Sequence, residues 1–198
     1  MQLPEQLMAD MAAGKTFNDF DPRLQARRGE AAALAERYTA CQKSGDNAGM
    51  TAILKELLGH CGPGAFILPP FSVQLGSFIS LGKDSFINQG SIFMDCAPVV
   101  IGERVLIGPR VCFYTTTHAL LPQERAAGLI TARPITVEDD VWIGGGAILM
   151  GGVTVGAGSV VGAGSVVTRD IEPGVVAVGN PCRVLRPITE KDSLQQLL

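Results

Sequence analysis

The chain has 198 residues, of which 46 % are apolar and 18 % charged, as is typical of one packed domain with a small appendage. Its net charge of −3 leaves no basic surplus for nucleic acid or an anionic membrane. It contains no apolar run near the roughly 18 residues of a membrane span and no basic-then-apolar signal segment at its start. Five cysteines, an odd number without metal-ligand spacing, favour a reducing compartment, so a cytoplasmic protein is expected.

The first part of the chain, residues 1–62, is predicted to form a helical cap. After a short first helix, Asp21 and Pro22 provide an N-cap and a proline at the first helical position, which predicts a second helix over 22–43. Asp46 can cap a third helix. Its apolar face consists of Met50, Ile53, Leu54, Leu57 and Leu58. Such a small helical unit buries little by itself, so it is expected to pack against the rest of the chain.

A six-residue repeat organises the next part, which is predicted to be one domain over residues 63–187. Aliphatic anchors recur at Val137, Ile143, Leu149, Val155, Val161 and Val167. Six is neither a helical period nor strand alternation, and a fixed repeat indicates one small unit stacked many times. The same phase is predicted to begin at Leu75, Leu81, Ile87 and Phe93, and to resume after two extra residues at Ile101, Ile107 and Phe113.

The repeat is interrupted between about Thr115 and Pro134. This segment has little periodicity and is predicted to be a loop of about 18 residues expelled from the repeat, a length that is unusual unless the loop has a function. His118 stands at the point of interruption, whereas the other histidine, His60, is interpreted as a surface or capping residue. In the tail, 188–198, Thr189 and Asp192 form a capping-box pattern for a short last helix.

Several strings carry a family resemblance. They are AAGKTFNDFDPRL in the cap, ILPPF (67–71), FIN (86–88), TTTH (115–118), RPITVEDDVWIGGGA (133–147) and VVAVGNPCRVLR (175–186). Together they resemble the maltose and galactoside O-acetyltransferases, which are hexapeptide-repeat enzymes. The resemblance implies a mainly β fold, a left-handed parallel β-helix with an N-terminal helical cap. It also implies acetyl-CoA as co-substrate, no metal, a small-molecule hydroxyl acceptor, and a homotrimer with active sites between subunits.

The resemblance assigns His118 as the catalytic base. A neutral imidazole can take the proton of an alcohol as the oxygen attacks the thioester carbonyl, so transfer is direct and needs no acyl-enzyme. The backbone amide of Gly145 is implied as the donor to the developing oxyanion. Related enzymes often carry Ser at this position, and Gly retains the amide but loses the side-chain contact.

The same resemblance implies two sets of binding residues. The acceptor set is Asp19, Gln74, Phe86, Asn88 and Asp95, with Asp21 in place of Asp19 if the helix start is shifted by two. The CoA set is Trp142, Gly145, Ala163, Thr168, Arg169, Arg183 and Arg186, in which small residues admit the pantetheine arm and arginines meet phosphates. Four positions depart from the family pattern, namely Gln74, Phe86, Cys96 and Ile130, and predict an acceptor pocket less polar than a galactoside site.

An O-acetyltransferase acting on a sugar or similar small alcohol is therefore the favoured function. A same-fold enzyme that acylates a xenobiotic alcohol, serine or an amino-sugar nitrogen stays open, although the helical cap disfavours the first two. A γ-type carbonic anhydrase needs three zinc-binding histidines, and this chain has two. A catalytically silent β-helix is disfavoured by His118 and the arginines. The sequence leaves open the acceptor, the hydroxyl modified and the length of the acyl group.

Overall fold

The computed structural model describes residues 3–197, with side chains to 195. Its helices are α1 Glu5–Ala12, α2 Pro22–Ser44, α3 Asn47–Leu57 and α4 Pro122–Ala126, followed by 3-10 turns at Glu190–Asp192 and Leu194–Leu197. Its strands in chain order are β1 Phe17–Asn18, β2 His60–Cys61, β3 Phe66–Ile67, β4 Ser72–Val73, β5 Ile79–Leu81, β6 Phe86–Ile87, β7 Ile92–Met94, β8 Val99–Ile101, β9 Leu106–Ile107, β10 Cys112–Tyr114, β11 Thr116–His118, β12 Leu129–Ala132, β13 Ile135–Val137, β14 Trp142–Ile143, β15 Ile148–Met150, β16 Thr154–Val155, β17 Val160–Val161, β18 Val166–Val167, β19 Val175–Val178 and β20 Arg183–Pro187. None of these helices is long and apolar enough to cross a membrane.

The short strands build a parallel β-helix with three sides. Side 1 contains β2, β5, β8, β13 and β16; side 2 contains β3, β6, β9, β14, β17 and β19; side 3 contains β4, β7, β10, β15 and β18. Each of these strands pairs in parallel with the strand one coil further along the chain, and β20 closes side 2 by pairing antiparallel with β19. This confirms the β-helix predicted from the repeat. We call the turns between sides the 1–2, 2–3 and 3–1 corners.

The anchors of the repeat form the core of the β-helix. On side 2, Ile87, Ile107 and Ile143 lie in register and are completely or almost completely buried. On side 3, the rings of Phe93 and Phe113 stack with centroids 4.7 Å apart. Burying one such side chain stabilises the folded state by about 1.5–3 kcal/mol, so the six-residue register is strongly specified.

The β-helix begins one coil before Leu75, the first anchor predicted for the repeat. The strands β2, β3 and β4 form the first coil, so the domain starts at His60 rather than at residue 63, and the repeat does not begin at Leu75. Two extra residues follow β4, because Val73 and Leu81 are eight positions apart (81 − 73). Leu75 lies in the resulting turn and packs in a second core that links the cap to the β-helix. That core includes Met11, Phe17, Leu24, Cys96 and Ile130.

The segment expelled from the repeat is folded rather than a structureless loop. Strands β11 and β12 pair antiparallel, α4 connects them, and β1 of the cap adds to the free edge of β12. We call residues 115–134 the arm. It leaves the β-helix at the 3–1 corner, the same corner that carries the two-residue insertions of the first two coils. Its strands are too short to show a period in the sequence, and their partner β1 lies about a hundred residues away.

The cap closes the first end of the β-helix. The hydroxyl of Tyr38 on α2 donates to the carbonyl of Ile67 on β3 at 2.7 Å, and its ring meets Phe71 edge-to-face at 5.5 Å. The Arg27 guanidinium donates to the Leu75 carbonyl at 3.0 Å. Covering the first coil in this way protects an end at which the core would otherwise meet solvent. At the other end, the predicted capping box is present at Thr189 and Asp192 and begins a 3-10 turn.

The hydrogen bond from Tyr38 yields a stability prediction. Tyr38→Phe keeps the ring but leaves the buried Ile67 carbonyl without its donor, so the free energy of unfolding is expected to fall by about 1–2 kcal/mol. Ser44→Ala, which removes an exposed hydrogen bond within α2, is the control and is expected to change it by less than about 0.5 kcal/mol. Urea unfolding at one protein concentration measures both. Equal effects would show that the buried contact does not hold the cap.

Candidate active site

One group of the predicted site residues lies at the 3–1 corner. Gln74, Asp95 and Thr168 each directly follow a strand of side 3, and Arg169 follows Thr168. The arm leaves the same corner and carries His118 at the end of β11. Because parallel strands stack about 4.8 Å apart, residues that follow neighbouring strands of one side are brought together along one edge of the β-helix.

A second group lies on side 2 and its 2–3 corner. The outward side chains on this side are Phe86 and Trp142, and the corner residues are Asn88, Gly145 and Ala163. Arg183 and Arg186 lie on β20, which extends the same side. The full width of side 3 separates these residues from the 3–1 corner. A single chain therefore does not bring His118 together with Gly145 or Asn88.

The register of the arm defines the surroundings of His118. His118 lies opposite Ile130 on β12, and Ile130 lies opposite Phe17 on β1. Side chains of directly opposed residues point to the same face of a sheet. The exposed His118 therefore lies at the edge of the apolar layer that contains the buried Ile130 and Phe17. The arm also borders an open cleft of about 230 Å³. The cleft is lined by Thr16, Thr117, His118, Ala119, Glu124, Leu129, Ile130 and Thr131.

Asp19 is joined to the same sheet. Its backbone N–H donates to the Gly128 carbonyl at 2.8 Å, which continues the β1–β12 pairing by one residue. Its carboxylate accepts a hydrogen bond from Arg28 on α2. Asp21, the alternative, caps α2 through the Arg23 N–H at 2.8 Å, and the Arg23 side chain lowers the Asp21 pKa to about 2. Of the two aspartates, Asp19 is thus the one bonded to the arm.

Asp95 is completely buried and supports a turn. Its Oδ1 accepts from the N–H groups of Gln74 at 2.8 Å and Leu75 at 3.0 Å, whereas its Oδ2 has no partner in the described part of the chain. Burial raises the pKa of the Asp95 carboxyl to about 6, because the charged form loses its hydration. In the single chain this carboxyl faces the interior, and contact with an acceptor would require the turn after β4 to move.

Cys96 follows Asp95 and is equally buried. Its N–H donates to the Thr115 hydroxyl at 3.1 Å, which fixes the start of the arm. Burial raises the pKa of the Cys96 thiol to about 12. A thiol of that pKa is protonated at neutral pH and is a poor nucleophile, so Cys96 contributes packing and shape at the base of the arm.

The second group offers an accessible ring beside a tight corner. Trp142 is 54 % exposed, and its neighbour on side 2, Leu106, is 52 % exposed. At the 2–3 corner, a Cβ on Gly144 would lie 2.4 Å from the Ala163 nitrogen, so only glycine permits this approach of the coils. The N–H of the next residue, Gly145, donates to no acceptor in the part of the chain that the structure describes. It is therefore available to a ligand.

The predicted phosphate-binding arginines differ in their present partners. Arg186 forms two hydrogen bonds to the Asp192 carboxylate, at 2.7 and 2.8 Å, and this pairing lowers the Asp192 pKa to about 2. Arg183 donates to the adjacent Cys182 carbonyl at 2.7 Å. Both side chains are exposed. To bind a phosphate, Arg186 would have to give up its bonds to the Asp192 carboxylate. The sequence predicts a capping role for Asp192 but not its pairing with Arg186.

Sequence reasoning missed two residues that shape the site. Arg28 holds Asp19, and Thr115 anchors the arm through its bonds to Cys96 and Met94. Arg28 lies within a helix rich in charged residues, where a single arginine has no distinguishing pattern. Thr115 belongs to a run of three threonines, and only the folded corner distinguishes the buried one from the two more exposed ones.

Comparison with known proteins identifies the family. The maltose acetyltransferase hexapeptide capping motif matches residues 10–62, and the family model for bacterial transferase hexapeptide repeats matches residues 134–169. Nodulation protein L of Rhizobium meliloti is 46 % identical over 88 % of this chain and 94 % of that protein. The chain belongs to the maltose and galactoside O-acetyltransferase family. Members of this family are enzymes, so an acetyltransferase activity follows.

Further relatives support the same assignment. The galactoside O-acetyltransferase of Escherichia coli is 37 % identical over 91 % of this chain and 88 % of that protein. A hexapeptide-repeat acetyltransferase from Vibrio cholerae, solved in complex with acetyl-coenzyme A, is 39 % identical over 92 % of this chain and 98 % of that one, with a TM-score of 0.84. The family resemblance inferred from the sequence strings is therefore confirmed, and it extends over nearly the whole chain.

The buried Asp95 yields a prediction on pH dependence. Its folded-state pKa of about 6 lies above the unfolded value near 4, so the folded protein binds the additional proton. The contribution of Asp95 to stability is then fully present below about pH 4 and falls as pH rises to about 6, by about 3 kcal/mol in total. Asp95→Asn removes this ionisation.

The test compares unfolding of the two proteins in urea from pH 4 to pH 7. Other carboxylates, such as the paired Asp21 and Asp192, titrate in both proteins and cancel in the difference. The free energy of unfolding of Asp95→Asn minus that of the wild type should increase with pH over this range. A difference that is constant from pH 4 to pH 7 would show that Asp95 ionises in the folded state as it does in the unfolded chain.

Proposed function

We propose that the protein is an acetyl-CoA-dependent O-acetyltransferase that modifies a hydroxyl of a sugar or a similar small alcohol. The observation that carries this proposal is the division of the site. The exposed His118 and the anchored Asp19 lie at the 3–1 corner, whereas the unpaired N–H of Gly145 and the exposed Trp142 lie on side 2. Among the described residues, the 3–1 corner supplies a base but no oxyanion donor, and side 2 supplies an oxyanion donor but no base.

Association of three copies completes this site. The outward row of side 2 is apolar from the first coil to the last and lies in register. It consists of Phe66, Phe86, Leu106, Trp142, Val160 and Val176. This apolar row is partly exposed along its length and is most exposed at Leu106 and Trp142, as is typical of a protein interface. In a closed ring of three, two different surfaces of each copy meet, so the 3–1 corner of one protomer faces side 2 of the next.

The chemistry follows from the two halves. The imidazole of His118 takes the proton of the acceptor hydroxyl while the hydroxyl oxygen forms a bond to the thioester carbonyl carbon. The negative charge that develops on the carbonyl oxygen is stabilised by the Gly145 N–H, and such a donor is typically worth a few kcal/mol. The carbon–sulfur bond then breaks, and the imidazolium returns its proton to the CoA thiolate. No covalent enzyme intermediate and no metal enter these steps.

Acetyl-CoA fits the residues of side 2. Glycine and alanine at the 2–3 corner, Gly145 and Ala163, leave room for the pantetheine arm beside the Trp142 ring. Arg183 and Arg186 lie on β20, which extends the same side of the β-helix, and guanidinium groups suit phosphates. The family member from Vibrio cholerae that was solved with acetyl-coenzyme A supports this choice of donor.

The acceptor half is less polar than the sugar-binding half expected for a galactoside enzyme. Ile130 stands directly opposite His118, and the neutral Cys96 lies at the base of the arm. The neutral hydroxyl of a sugar or polyol suits this surface. A serine, a xenobiotic alcohol or an amino-sugar nitrogen remains the competing class of acceptor for the same fold.

The test measures release of the CoA thiol with a panel of acceptors, including sugars, amino sugars, serine and hydroxylated antibiotics. His118→Ala is expected to lower kcat by about 10²–10⁴ with every accepted acceptor, because general base catalysis is lost, while acetyl-CoA still binds. His60→Ala, which removes an exposed imidazole on the first coil, is the control and should retain wild-type rates.

Two outcomes would contradict the proposal. Full activity of His118→Ala would remove the assignment of the base. Absence of thiol release with every acceptor, together with absence of acetyl-CoA binding by the wild-type protein, would remove the transferase function itself. Preference for an amine over a hydroxyl would instead select the amino-sugar alternative.

A further inference from the structure

We infer that Arg28 is a positioning residue, which holds the Asp19 carboxylate so that its second oxygen accepts a hydrogen bond from a neutral acceptor hydroxyl next to His118. The inference rests on the proposed function and assigns a role to a residue of the cap. Arg28 does not touch the reacting atoms in this arrangement. It acts on the acceptor through Asp19.

Arg28 binds Asp19 through two nitrogens of its guanidinium group. Its Nη2 donates to Oδ1 of Asp19, and its Nη1 donates to the backbone carbonyl of Asp19 at 3.2 Å. The Arg28 side chain is 17 % exposed, so this pair is largely removed from water. A planar guanidinium that binds the side chain and the backbone of the same residue fixes the orientation of the carboxylate. The Oδ2 of Asp19 has no partner among the described residues.

The same aspartate is fixed to the arm from its other side. The Asp19 N–H donates to the Gly128 carbonyl at 2.8 Å, and the Asn18 side chain donates to the Ala127 carbonyl at 2.9 Å. Through β1, β12 and β11 this attachment leads directly to His118. Arg28 therefore connects α2 to the strand system that carries the base.

The charges around Arg28 indicate which acceptor it serves. Asp19 is the only carboxylate that Arg28 contacts in the described part of the chain. The other neighbour, Cys96, is a neutral thiol, so Asp19 supplies the only negative charge beside Arg28 among these described residues. The guanidinium offsets the charge of Asp19, and the remaining oxygen is then suited to a neutral hydroxyl donor rather than to an ammonium group. A sugar or polyol hydroxyl is the class of ligand that this pair would recognise.

Arg27, the preceding residue, offers a matched control. It lies on the same helix, and it also anchors the cap, through the carbonyls of Leu75 and Leu57. None of its hydrogen bonds reaches Asp19. Removing the Arg27 side chain should therefore destabilise the cap without a selective change in the KM for the acceptor. Removing the Arg28 side chain should raise the KM for the acceptor.

The experiment compares Arg28→Gln, Arg28→Lys and Arg27→Gln by steady-state kinetics of thiol release and by thermal unfolding. Arg28→Gln is expected to raise the KM for the acceptor about tenfold or more, with the KM for acetyl-CoA unchanged. Arg28→Lys keeps the charge but not the fork, so an intermediate KM is expected. Arg27→Gln should lower the Tm and change the acceptor KM less than about twofold.

A double variant separates positioning from general loss of structure. If Arg28 acts through Asp19, adding Arg28→Gln to Asp19→Asn should not raise the acceptor KM further. An unchanged acceptor KM in Arg28→Gln would overturn this inference and leave the proposed function intact. The same holds if the KM values for acceptor and acetyl-CoA rise together in proportion to the loss in Tm. A wild-type protein that releases no thiol with any acceptor would overturn the proposed function and this inference with it.

Discussion

The parallel register of the short strands is the constraint on which the rest of the structure depends. Because each strand pairs with the strand one coil further, residues at equivalent positions of successive coils share one side or one corner. The buried anchors enforce this register, since a slip of one residue would move an aliphatic side chain into solvent. Residues that are distant in the sequence, such as Gln74 and Thr168, thereby come to lie along the same corner.

The 3–1 corner is where the repeat can change length without disturbing the core. Its first two coils each carry two extra residues, the third carries the arm, and the later coils carry none. The arm is then stabilised by contacts outside the repeat, through β1 and the second core around Leu75. In the proposed function, side 2 and its 2–3 corner then hold Trp142, Gly145 and the acceptor residue Asn88, whereas Asp19 and His118 belong to the cap and the arm.

Much of this architecture is predictable from the sequence, for reasons that also explain what is missed. Glycine and aliphatic anchors made the coils from Leu81 onward and the position of His118 evident. The anchors of the first coil, Cys61, Ile67 and Val73, are not evident in the sequence because they lie among prolines. In addition, Leu75 stands six residues before Leu81 and so mimics an anchor of the repeat. The pairing of the arm with β1 and the burial of Asp95 depend on long-range contacts, which leave no local period. The ion pair of Arg28 with Asp19 is closer in the sequence, but a single arginine in a charged helix shows no distinguishing pattern.

The proposed function requires that each active site be assembled from the 3–1 corner of one protomer and side 2 of another. Complementation between two inactive variants tests it most directly. His118→Ala, which lacks the base, is co-expressed with the double variant Asn88→Ala/Trp142→Ala, and mixed assemblies are isolated through two different affinity tags. In a closed ring of three that contains both chains, one of the three sites should contain both intact halves, and activity should return to about a third of the wild-type value per assembly. Mixed assemblies as inactive as either parent, or the absence of any assembly between the two chains, would contradict it.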